Sequence, residues 1–173
     1  AREAVQALAG GGEVLHQAQR ARRVAGQDLV IAAELDATAP RLQDATPLAR
    51  LASSHYAVFV PAASPHRTMA DLARAFKADP AAIAWDAGAR GGPAHLLVAY
   101  LAKTVGADPA KVKLASSPQA AAAGIAKLRD VQEAVKAGRV RALAVTSPAA
   151  TAGIASLKEQ GINLVFANWH GLL

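Results

Sequence analysis

Gly88, Gly91 and Gly92 stand immediately before Pro93 in WDAGARGGPAHLLVAYLAK, the stretch from Trp85 to Lys103. Proline at the first position of a helix is favourable, because the amide it lacks would have had no partner there. The free amides around it, with the positive end of the helix dipole, suit a carboxylate, phosphate or sulfate. Glycine permits φ > 0 and close approach of a ligand to the main chain. Two readings stand at this point: an anion site, or a plain turn from strand to helix. A second loop repeats the arrangement, with Gly10, Gly11 and Gly12 ahead of a helical pattern over Glu13 to Arg23. Two such loops would clamp a ligand with two anionic ends, although Glu13 also satisfies the dipole of its own helix.

Other chemistry is sparse. His16, His55, His66, His95 and His170 are scattered, and none shows the i, i+4 spacing of a helical zinc pair. His95 reads as a solvent-facing polar residue, with ligand contact as the alternative. Ser53, Ser54, Ser116 and Ser117 lack the G-x-S-x-G elbow of a serine nucleophile. Neither GxGxxG nor a Walker A motif is present. No catalytic residue, metal or cofactor is expected.

The elements that must position these loops alternate. Strand-like runs begin at Asp28 (DLVIAAEL), Tyr56 (YAVFVPA), Ala82 (AIAWDAG), Val112 (VKLASS), Arg141 (RALAVTS) and Asn163 (NLVFANW), with helical patterns among them. Such alternation predicts an α/β fold with a mainly parallel sheet. Thr68 with Asp71 makes an acidic capping box for MADLARAFK, which ends at Asp79-Pro80. A helix is expected over Leu128 to Ala137, with Leu128, Val131, Val135 and Ala134 on one face and Gly138 as its stop. Another is expected over Ile154 to Gln160, ending at Gly161.

Two places read as discontinuous. SSPQAAAAGIAKL, Ser116 to Leu128, leaves no room for a parallel crossover of a dozen or more residues, so a chain break is expected near Pro118 and Gln119. The strand that would feed a helix over Arg2 to Leu8 is also missing.

With 173 residues the chain can bury a full core without metal or disulfide, and 53% of it is apolar but only 4% aromatic. No run approaches the roughly 18 apolar residues of a membrane-spanning helix. The absence of cysteine excludes thiol catalysis, thiolate ligands and disulfides, and fits an oxidising compartment. The net charge of +6 concentrates only at Arg20, Arg22 and Arg23, where few aromatics are interleaved. That favours a solvated helix end over a nucleic-acid platform.

From about Asp44 to Leu173 the sequence resembles the periplasmic substrate-binding receptors of tripartite tricarboxylate transporters, the Bug receptors. The match is carried by TPLARL and VPAASP, AGRVRALAVTSP and NWHGLL, in order and nearly in spacing. The resemblance implies an α/β, two-lobed, periplasmic binding protein type II (Venus flytrap) fold. One lobe would span residues 56–142, the other residues 1–55 with 143–173. It also implies a small organic di- or tricarboxylate held by glycine-rich loops through main-chain amides and water. Asp86 to Gly92 matches one such loop, and Gly10 to Gly12 an earlier one. The ligand-binding residues implied are Gly11, Gly12, Ala87, Gly88, Ala89, Arg90 and Gly91. Arg90 either adds a charge-assisted contact or points outward. The family's opening strand and loop, and its glycine loop after LASSP, are not found.

The function implied is a non-enzymatic, monomeric, periplasmic receptor. Its signal peptide would be absent from this chain, its partners would be integral-membrane transporter subunits, and no nucleic acid would be involved. The alternatives are a ligand-sensing effector module of similar fold, or an α/β enzyme acting on an anionic substrate, which would need an acid, base or metal set.

Overall fold

The computed structural model describes residues 24–26 and 42–172. The expected helices over Arg2 to Leu8 and Glu13 to Arg23, the strand from Asp28, the loop Gly10 to Gly12, the basic cluster and His16 lie outside the described residues.

The described residues form two compact units, divided at Ser53/Ser54 and Asn168/Trp169. In the first, β1 (Val24–Gly26) pairs antiparallel with β7 (Ala167–Leu172), Val24 opposite Leu172 and Gly26 opposite His170. A 3-10 turn covers Leu42–Asp44, and the Leu48 amide donates to the Leu172 carbonyl at 2.9 Å.

The second unit is built on β2 (Ala49–Pro61), whose later residues pair antiparallel with β5 (Ala123–Lys127) and with β6 (Val140–Val145). Beyond β5 lies β3 (Ala84–Asp86), and then β4 (Lys113–Leu114), both ladders of β3 being parallel. The sheet is therefore mixed rather than mainly parallel. The physical reason is β2, which inserts antiparallel between β5 and β6, two strands joined by the helix α3 (Leu128–Lys136).

Period-two alternation along β2 assigns its two faces. Tyr56, Val58 and Val60 enter the main core, whereas Ala57, with Phe59 packed beside it, joins Leu128, Val131 and Val145 in a second cluster under α3. The main core is closed by α1 (Met69–Ala78) and α2 (Pro93–Val105). The first offers Met69, Leu72 and Phe76; the second offers Leu97, Val98 and Leu101. Phe76 meets Trp85 edge-on, with ring centroids 5.0 Å apart. Such a pair adds about 0.5–1.5 kcal/mol beyond the area it buries.

The punctuation explains the boundaries. Thr68 Oγ1 accepts from the Asp71 amide while the Asp71 carboxylate accepts from the Thr68 amide, the expected capping box. That pairing, led by the Thr68 hydroxyl, holds the Asp71 carboxyl below its ordinary pKa. Gly106 closes α2 and Gly138 follows α3, both with φ > 0.

Three expectations are corrected. Residues 154–160 form no α-helix. Ser156 and Glu159 cap each other across one turn, and Gly161, at φ +80°, ends it before a second turn can form. The last strand starts at Ala167 rather than Asn163. Phe166 is drawn to Thr146 instead, its amide donating to the Thr146 carbonyl and its carbonyl accepting from Thr146 Oγ1 at 2.7 Å. Finally, no break interrupts Pro118 and Gln119: a 3-10 turn spans Pro118–Ala120, with the Ala120 amide donating to the Ser117 carbonyl. The short crossover works because β4 ends and β5 begins beside the same residue, Trp85. The linker 115–122 reaches roughly 26–29 Å when extended. It need cross only two strand spacings, roughly 10 Å, with little return along the sheet.

Candidate anion site at the amino end of α2

β3 delivers the chain to the site. Trp85 and Ala87, on one face of the strand and its extension, are buried in the main core, so the Ala87 side chain is a packing group. From Gly88 to Gly91 the chain is exposed. The Gly92 amide donates to the Ala89 carbonyl at 3.0 Å, closing a turn in which Gly91 holds φ +82°. Positive φ at the third residue of such a turn is the type II requirement, and it explains a glycine there. Gly88, at φ +61°, turns the chain out of the strand.

Gly92 is the N-cap of α2, with no side chain to cap it, and Pro93 follows at the first helical position as expected. The side chain that serves instead is His95: its Nδ1 accepts the Gly91 amide at 3.0 Å. His95 is half-buried rather than a free polar group facing solvent. A signal for this existed in the sequence. Counting from Gly92, His95 occupies the third helical position, where capping-box side chains reach back to the main chain.

Open donors remain in the exposed loop, where the amides of Gly88, Ala89 and Arg90 have no protein partner among the described residues, and at the helix end. Among the described residues, the amides of Ala94 and His95 have no protein partner, while those of Gly91 and Gly92 are engaged. First-turn amides carry the partial positive charge of the helix end, so two adjacent open donors there can take one carboxylate. Arg90 is exposed and has no hydrogen bond or ion pair among the described residues. Of the expected site residues, Ala87, Gly88, Ala89, Arg90 and Gly91 thus form one continuous loop; Gly11 and Gly12 lie outside the described residues.

The loop sits at the carboxyl end of β3, where open α/β sheets hold their ligands. A depression of about 560 Å³ opens at the other end, beside Pro61, Pro65, His66, Ile83 and Ala122. Its wall is mainly aliphatic, and it offers an anion little. Among the described residues there is no group of three acidic, histidine or cysteine side chains able to hold a metal. No helix among them is long and apolar enough to cross a membrane.

No curated protein matches the chain. Solved structures do. A TctC solute-binding protein from Polaromonas, with no ligand, superposes with a TM-score of 0.72 at 24% identity, covering 86% of this chain and 55% of its own. MatC from Rhodopseudomonas palustris, with bound malate, gives 0.64 at 16% identity, over 82% and 53%. An R. palustris protein with adipate gives 0.62 at 19%, over 73% and 46%. These likenesses show the α/β fold of the periplasmic binding proteins, and the chain spans about half the length of the solved proteins. The family described as tripartite tricarboxylate transporter family receptor matches residues 39–173. On that match the chain belongs to the tripartite tricarboxylate transporter receptor family, whose members are solute-binding receptors and not enzymes.

Proposed function

We propose that this chain captures a small organic di- or tricarboxylate in a cleft between two lobes and presents it to integral-membrane transporter subunits from the periplasm, acting as a monomer. The observation that carries the reading is the pair of open first-turn amides, Ala94 and His95, behind a glycine turn at the carboxyl end of β3. Family membership supports it, as do the adipate and malate held by two proteins of similar fold. In this reading one carboxylate of the ligand takes the two amides. The exposed loop from Gly88 to Gly91 bounds it, and Arg90 lends a positive charge from outside. Gly11 and Gly12 are proposed to meet the ligand's other end.

The lobes proposed are residues 56–142 and residues 1–55 with 143–173. The compact unit of the structure continues to Asn168. Limited proteolysis distinguishes the two borders: a first cut near Ser147 supports the proposed division, and a protected segment through Asn168 opposes it.

The function itself is tested by denaturing freshly purified protein and identifying what it releases by mass spectrometry, then titrating that compound calorimetrically. A di- or tricarboxylate that rebinds in one-to-one ratio is expected. Release of a neutral or cationic solute that rebinds would remove the carboxylate from the proposal. Neither the sensing module nor the enzyme is favoured by a specific feature of the described residues.

A further inference from the structure

We propose that His95 is the positioning residue of this site: as a neutral acceptor for the Gly91 amide, it holds the glycine turn in the shape that leaves the Ala94 and His95 amides open. The inference rests on the carboxylate-binding reading of the same loop, and adds to it a reason for histidine at this position.

The geometry begins with a lack. Gly92 caps α2 without a side-chain oxygen, and the turn before it relies on Gly91 staying at φ +82°. The hydrogen bond from the Gly91 amide to His95 Nδ1 is the one side-chain tie on that turn among the described residues. Elsewhere in the chain a related tie, one residue shorter, is made by a carboxylate: Asp71 accepts the amide of the N-cap Thr68 at α1, and Glu159 accepts the Ser156 amide. A carboxylate at position 95 would tie the turn equally well. It would also place a full negative charge against the amides meant for an anion. A neutral imidazole supplies the lone pair without the charge. Accepting through Nδ1 fixes the tautomer too, since the proton must then sit on Nε2. The ring adds a donor to its surroundings and no further acceptor.

The test uses the whole chain, its His95→Ala, His95→Gln and His95→Glu variants, and adipate and malate as probes. Ring nitrogen shifts of His95 in the ligand-free protein should report the tautomer protonated at Nε2. Hydrogen exchange of the Gly91 amide should be slowed in wild type, His95→Gln and His95→Glu, and released in His95→Ala. For whichever probe binds wild type, His95→Gln should hold affinity within about threefold. His95→Ala and His95→Glu should each weaken it by about tenfold or more, equivalent to about 1.4 kcal/mol. A proton on Nδ1, or equal affinity in all folded variants, would overturn the proposal. If wild type binds neither probe, the carboxylate reading fails for them, and the tautomer and the exchange pattern decide the positioning role by themselves.

Discussion

Gly91 is the residue on which the site's shape depends most directly. Its φ of +82° belongs to the region that disfavours a side chain, yet a Cβ built there would meet no atom within 4 Å. A substitution therefore costs backbone strain alone, about 1–3 kcal/mol. Gly91→Val is expected to leave the core intact and weaken carboxylate binding by roughly ten- to a hundredfold, measured by calorimetry. Unchanged affinity with the fold intact would remove the loop from the site. This residue and Pro93 were legible in the sequence, because glycine and proline declare backbone conformation by type. His95 was legible only as a spacing. Histidine is an uncommon capping residue, and its role depends on which nitrogen faces the turn. That the Ala87 side chain packs into the core was not legible, because a loop motif does not reveal that strand alternation continues one residue past β3.

Among the elements, α1 and β5 carry separable tests. Asp71 has a lowered pKa in the folded chain, chiefly from the Thr68 hydroxyl. Its contribution is thus present above the unfolded carboxyl pKa and is lost as pH falls through that value towards the folded one. Between about pH 5 and about pH 3 the melting temperature of wild type should fall further than that of Asp71→Asn. Parallel slopes would dissociate the capping box from stability. In β5, Gly124 lies opposite Phe59 on β2, and a Cβ there would enter the Phe59 ring. Gly124→Ala should cost about 1–3 kcal/mol by denaturant unfolding. That cost should largely vanish when Phe59→Ala is also present; additive costs would show that the ring does not set the requirement.

Local signals located most of these elements. The capping box of α1, the proline that opens α2 and the glycine stop after α3 are short-range chemistry. The expected helix over Ile154 to Gln160 failed locally, because Ser156 and Glu159 cap each other across a single turn; the other failures were long-range. Phe166 leaves the strand pattern because Thr146 takes its carbonyl, and the linker 115–122 can be short because β4 and β5 meet β3 at one level. The antiparallel insertion of β2 likewise depends on partners far along the chain.

At the scale of the molecule, family membership rests on residues 39–173, and the chain spans about half of each solved relative. The resemblance was legible through ordered motifs such as VPAASP and NWHGLL, whereas ligand identity was not, because a loop of glycine and alanine carries few side chains that could declare a ligand. The central claim is that the amino end of α2 receives a carboxylate. Its most direct test is a nuclear magnetic resonance titration of the isotope-labelled chain with a panel of di- and tricarboxylates that includes adipate and malate. At least one compound is expected to shift the amides of Ala94 and His95 saturably, with smaller shifts from Gly88 to Gly91. Saturable binding that leaves these amides unmoved, or no binding across the panel, would contradict it.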